Sequence, residues 1–292
     1  PVPRMKKPII DIIPASWVNM GGTLIKQALP NSTVNSVDPF LLLHHAEFSF
    51  STDLPAIKQG LGPHPHRGFS PVTFVIKGEV HHRDSWGNSQ IAKAGEVQWL
   101  NAGAGIIHSE RPSQKLADEG GIQEVIQLWI NAPAAKKMIP PSYQYLPKSS
   151  IPISTSPDEK IVTKIIAGQV AEHRSAIHTE TDLLILWSEG KVGGSETISF
   201  PKEYHSVLYV ISGSIMVCGD VKASGKHLIL IQDDLTDIEV ILTEDSSFLF
   251  LAGLPIGEKV VQQGPFVMNS QSDILRAMRD YQMGKMGVLI EE

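Results

Sequence analysis

The sequence predicts an all-β protein, built as two consecutive β-barrels over residues 1–145 and 146–292 and closed by one short C-terminal helix. Three observations carry this expectation. Short β-branched and aromatic segments alternate with turn residues along most of the chain. One strand–turn–strand pattern occurs twice, about half a chain apart. A proline-rich stretch separates the two copies.

The strand-like segments include Val72–Ile76, Val97–Leu100, Ile122–Ile130, Leu183–Trp187, Val207–Ile211, His227–Ile231 and Phe248–Leu251. Gly78, Gly87-Asn88, Gly213 and Gly219-Asp220 punctuate them. Many short strands at even spacing argue for a sandwich or barrel. Helical periodicity emerges only near the end, where Ser272 is placed to cap a helix carrying Ile274, Leu275, Met278 and Tyr281, and Gly284 to stop it.

The repeat aligns Val72-Thr73-Phe74-Val75-Ile76-Lys77-Gly78-Glu79-Val80 with Val207-Leu208-Tyr209-Val210-Ile211-Ser212-Gly213-Ser214-Ile215. Two copies of one domain are the simplest source of such a pattern. The region from Pro133 to Pro157 holds six prolines. Proline cannot donate to a ladder, so this region is expected to cross between the domains rather than to form a central strand.

Composition narrows the function classes. Of 292 residues, 42% are hydrophobic and 19% charged, enough apolar material for packed cores, and the formal net charge is −6. An acidic chain without a basic block does not suit direct nucleic-acid binding, which needs clustered Lys and Arg on phosphates. No apolar run reaches the ~20 residues of a membrane span. The start, Pro1–Pro8, is basic and lacks an apolar core, so no signal peptide is expected. The single cysteine, Cys218, permits neither an intrachain disulfide nor a Cys-based zinc site, and fits a reducing, cytoplasmic setting.

Chemistry concentrates in two short motifs. His64-Pro65-His66 precedes a strand, and His108-Ser109-Glu110 follows 41 residues after His66. In extended chain, residues i and i+2 share a face, so each pair can approach one ion together. Brought face to face in a barrel, the pairs give three nitrogens and one oxygen. That donor set suits a borderline divalent first-row metal. The alternative is a group of core or surface histidines with ordinary hydrogen bonds.

These motifs resemble the pirin family of the cupin superfamily. Gly62-Pro63-His64-Pro65-His66-Arg67-Gly68-Phe69 is similar to its first metal motif. Gly95-Glu96-Val97-Gln98-Trp99, Ala102-Gly103 and Gly105-Ile106-Ile107-His108-Ser109-Glu110 are similar to its second. The likeness continues through His82-Arg83-Asp84-Ser85, Gln127-Leu128-Trp129-Ile130-Asn131, Lys137-Met138, Tyr143-Gln144 and Gly264-Pro265-Phe266-Val267-Met268-Asn269.

The resemblance implies a bicupin whose N-terminal barrel binds Fe(II), or another of Zn, Mn, Ni, Co and Cu, through His64, His66, His108 and Glu110. It implies a C-terminal barrel without metal, in line with Ser199 and Pro201 at the repeat positions of His64 and His66. It also implies either quercetin 2,3-dioxygenase-like activity on a small aromatic flavonol, or a regulatory role with a protein partner. For the enzyme, Glu110 is the candidate proton acceptor. Two departures bear on the pocket and its mouth: Ser70-Pro71 stand where a pirin glutamate is common, and Ala104 where an arginine is common.

Other polar clusters read as less functional. His44, His45 and Glu47 form a further cluster, in which His45 and Glu47 share a strand face; the alternatives are a place in the pocket wall or beside the candidate ligand histidines, and solvated residues at a strand end, which is the expectation. Of His81 and His82 only one can point inward, and the segment to Asp84 reads as a polar turn. Trp86, Trp99 and Trp129 read as core or pocket wall, and Cys218 as a buried small apolar residue. His173, His178, His205 and His227 show no ligand spacing.

Overall fold

The computed structural model of the chain describes residues 8–291; the basic start, Pro1–Lys7, lies outside them. Strands dominate, and two cupin barrels are formed. The chain divides into two compact units: one holds Asn19–Ile25, Phe40–Ser149 and the chain from Ile256 on, the other the chain up to Val18, Lys26–Pro39 and Ser150–Pro255. Ile9–Pro14 pairs antiparallel with His227–Ile231 in the second unit. In the first unit, Phe266 bridges to Arg67 and Val267 N–H donates to Arg67 O. Long-range strand pairing, not chain order, decides membership.

In the first unit, Ser142–Leu146, Val97–Asn101, Phe69–Lys77, Gly121–Asn131 and Phe40–Phe50 are hydrogen-bonded neighbours in that order. A second sheet runs Leu61–His66, Ile106–Pro112, Glu79–Asp84, Ser89–Lys93. The expected proline-rich crossover thus supplies an edge strand, Ser142–Leu146, with its prolines outside it, as the missing N–H groups require. In the second unit the larger sheet contains His205–Ser212 between His227–Ile231 and Ser246–Gly253, and the smaller one Ser195–Ser199 beside Asp237–Leu242.

The repeat is structural. Phe69–Lys77, Gly78 and Glu79–Asp84 in one unit match His205–Ser212, Gly213 and Ser214–Val217 in the other. Gly78 has φ +73° and Gly213 φ +78°. A Cβ on Gly78 would lie 2.5 Å from Ile122 O, and on Gly213 2.3 Å from Asp245 O. Only glycine combines that backbone with that approach. The two barrels differ inside. In the second, Ile198, Phe200, Ile238, Val240 and Phe250 join one continuous apolar core, whereas the first places three histidines on the wall of its barrel.

The C-terminal helix spans Gln271–Gln282, capped by Ser270, whose Oγ accepts from Asp273 N. The expected cap, Ser272, lies within the first turn. Ile274 and Ala277 bury its inner face with Phe266, Met268 and Met286. Lys137 is 1% exposed, and its ammonium donates to Gly68 O (2.7 Å), Asn131 Oδ1 (2.6 Å) and Val267 O (3.1 Å), tying three segments together.

Candidate metal centre

Strand pairing assembles the histidines. Leu61–His66 runs antiparallel to Ile106–Pro112 with His64 opposite His108 and His66 opposite Ile106. Directly opposed residues share a face, so His64, His66 and His108 meet. Their ring centroids lie 4.9 Å (His64–His66), 4.4 Å (His64–His108) and 4.9 Å (His66–His108) apart. One nitrogen of each lies within 4.8 Å of the others. His66 and His108 are 4% and 2% exposed. Burial first, then the neighbouring histidines, pushes both imidazoles well below the ordinary histidine range. Neutral imidazole is the form that ligates.

Glu110 is placed differently. The register shifts between His108 and Glu110, which sits opposite Leu61. Such bulges re-aim side chains. Glu110 lies outside the three-histidine cluster, and its Oε1 accepts from Thr73 Oγ1 at 2.8 Å. It nevertheless lines the same cavity as His64 and His66.

The histidine nitrogens fit a cation. His64 Nδ1 donates to Gly62 O (2.7 Å) and His66 Nδ1 faces Pro265 O (3.4 Å). A carbonyl only accepts, so the proton sits on Nδ1 and Nε2 keeps its lone pair. His108 Nδ1 lies 3.3 Å from His82 Nδ1, and His108 Nε2 is buried with no hydrogen-bond partner. A buried orphan acceptor beside two imidazoles with free lone pairs is what a first-row metal would satisfy.

The cavity has a volume of about 430 Å³, within the usual range for small-molecule sites. Its walls are mostly apolar, from Met20, Ile25, Leu42, Ala46, Phe48, Val80, Val125 and Trp129. Trp129 packs at a tilt against Phe69 (4.3 Å) and lies edge-on to His66 (5.5 Å). His44, Thr73, Gln123 and Gln127 add polar groups. Burial pushes His44 down to about 4. Ser70 and Pro71 do not line the cavity.

His44, read in the sequence as part of a solvated cluster, lines the cavity. The signal was present: Leu42, His44, Ala46 and Phe48 alternate on one face, and that face is apolar. His45 points the other way, buried and bonded to Glu124 Oε1 at 2.8 Å, while Glu47 is exposed. A solvated His45 is thus corrected. His82, not His81, faces inward, with Nε2 2.8 Å from Asp84 Oδ2. Trp99 is buried, but Trp86 is 59% exposed, on the turn after Asp84. Cys218 is half-buried against the second unit's core.

Residues 22–130 match the Pirin family model, and residues 188–287 match the Pirin C-terminal cupin domain. The chain belongs to the pirin family. Pirin-1 of Arabidopsis thaliana is 37% identical to this pirin over 271 residues, covering 91% of this chain and 89% of its own. Homo sapiens Pirin is 30% identical over 287 residues, covering 97% and 94%. A crystal structure of a quercetin 2,3-dioxygenase from Acinetobacter baumannii is similar at TM-score 0.89 and 32% identity, over 97% of this chain and 99% of that one.

Proposed function

We propose that this pirin is an iron-dependent dioxygenase acting on quercetin-like flavonols. The observation that carries the reading is the three-histidine cluster set in the wall of an open, largely apolar cavity. Likeness to a structure named as a quercetin 2,3-dioxygenase supports it. His64, His66, His108 and Glu110 would hold the metal.

A bound divalent iron would supply positive charge that acidifies a substrate hydroxyl, and the redox capacity for dioxygen chemistry. The chain's own residues do the rest. Trp129, Phe48, Leu42 and Val125 hold flat rings and exclude water. His44, Gln123 and Gln127 offer hydrogen bonds to ring hydroxyls. Glu110 accepts the hydroxyl proton, oriented by Thr73 Oγ1 on its Oε1. The outcome would be opening of the flavonol's oxygen heterocycle, with both atoms of dioxygen entering the ester product and one ring carbon leaving as carbon monoxide. The free Cys218 fits a cytoplasmic protein; no helix among the described residues is long and apolar enough to cross a membrane.

The test is dioxygen consumption by anaerobically iron-loaded protein with a flavonol panel. Glu110→Gln should lower turnover more than flavonol binding, with activity normalised to metal content. No consumption with any flavonol, alongside binding of a protein partner, would replace this reading with a regulatory one. An open apolar cavity is not what a regulator that uses the metal only structurally requires, so the enzyme reading is preferred.

A further inference from the structure

One buried polar chain is not used by the chemistry above. His82 and Asp84 alternate along Glu79–Asp84, which pairs with Ile106–Pro112 so that Asp84 faces His108 and His82 faces Glu110. His82, Asp84 and His108 are 2%, 3% and 2% exposed. Polar groups so buried are kept only where their hydrogen bonds are specified.

The directions of these bonds can be read outward from Asp84. Its Oδ1 accepts from Trp86 N (2.9 Å) and Asn88 N (3.1 Å), and its Oδ2 from Asn88 Nδ2 (2.8 Å). A carboxylate can only accept, so the fourth contact, His82 Nε2 at 2.8 Å, must also donate. With the His82 proton on Nε2, Nδ1 is the ring nitrogen left to accept. That nitrogen lies 3.3 Å from His108 Nδ1, which therefore donates. The His108 proton is then on Nδ1, and the lone pair on the buried, unpartnered Nε2. Tyr143 lies flat on His82, with centroids 4.3 Å apart and planes 15° apart, and fixes the ring that receives the bond.

We infer that His82 and Asp84 are positioning residues for the metal centre: the turn after Asp84 orients Asp84, Asp84 sets the tautomer of His82, and His82 sets the tautomer and ring angle of His108. The inference rests on the metal centre proposed above. His64 and His66 take their orientation from backbone carbonyls, so His108 is the one ligand of the three governed by side chains. Partners of this kind tune ligand basicity and geometry at metal sites.

The test uses the full chain, stripped of metal. Four proteins are compared: the parent, His82→Phe, His82→Asn and Asp84→Asn. Phenylalanine keeps the ring against Tyr143 but removes the acceptor. Asparagine at 82 returns an oxygen near the Nδ1 position. Asparagine at 84 must turn an amide toward donors in either rotamer, because all four contacts of Asp84 are donors. Long-range nitrogen–proton NMR of the metal-free proteins reads the His108 tautomer, and Co(II) titration against a chromophoric chelator reads affinity.

The parent should bind one Co(II) and show His108 protonated on Nδ1. His82→Phe and Asp84→Asn should lose roughly 10- to 100-fold in affinity, the span usual for such partners, with a mixed His108 tautomer and a changed Co(II) absorption band. His82→Asn should recover most of the loss. A merely structural role would move thermal stability in all three variants and leave the tautomer alone. Parent-like tautomer and affinity in both Asp84→Asn and His82→Phe would overturn the inference while leaving the metal centre standing. A parent protein that takes up no Co(II) would overturn both. Should His82→Phe fail to fold, the Asp84→Asn and His82→Asn pair decides.

Discussion

Lowering the pH from 7.5 to 5.5 should destabilise the metal-free protein steeply, and for a reason local to the candidate centre. Burial holds His66 and His108 well below the ordinary histidine range and His44 at about 4. Unfolded, each titrates near 6.5. Between the folded and unfolded values the unfolded chain binds more protons, so stability rises with pH there. The contribution is fully present above about pH 6.5 and is lost as pH falls. Each imidazole that stays neutral when folded contributes about 1.4 kcal/mol over this interval, so these three contribute about 4 kcal/mol, and His81, also held low by burial, adds in the same direction. Carboxylates held low, such as Asp280 and Glu291, act mainly below pH 5 and do not enter the window. Urea unfolding of chelator-treated protein at the two pH values measures the difference. His44→Gln should remove about a third of it. A midpoint that does not move with pH would show that these rings are not buried and neutral together, and the ready-to-ligate cluster would fall with them.

His66→Ala should remove most bound metal, read as metal per chain by elemental analysis; unchanged stoichiometry would place the ion elsewhere. Gly78→Ala should cost about 3 kcal/mol in urea unfolding, from a positive φ and a Cβ driven to 2.5 Å from Ile122 O; a loss under 0.5 kcal/mol would show that the turn relaxes freely. Lys137→Met should cost on the order of 4 kcal/mol, because three buried acceptors lose their donor, and a stability equal to the parent's would mean those oxygens find other partners.

What the sequence made legible is what depends on short spacing. Runs of β-branched and aromatic residues, cut by turn glycines, located the strands around Val72, Val97 and Val207. The i, i+2 rule paired His64 with His66, and the strand register then set His108 opposite. Features that depend on distant partners were not legible. Nothing near Ile9 announces that it pairs with Ile231, more than 200 positions away. The register shift after His108 is likewise invisible, and it decides why Glu110 meets Thr73 rather than joining the three rings. Ser270 and Ser272 are both competent caps; only the bond to Asp273 N separates them. Trp86 was placed inside by its size, but its backbone N–H is bound to Asp84 Oδ1 on a turn, which carries the ring outward.

The carbonyl facing His66 Nδ1 belongs to Pro265, 199 positions along the chain. Phe266 then bridges to Arg67, and Arg67 Nη1 reaches Asp280 at 3.0 Å. A growing polypeptide therefore presents its two histidine motifs long before the residues that orient His66 exist. The candidate site is completed by Phe266–Met268 and Gln271–Gln282, which are synthesised long after His64 and His66, so a nascent chain offers a loose pair of imidazoles rather than a finished cluster. Loss of these two elements is accordingly a lesion of the three-histidine cluster, although it deletes none of its histidines.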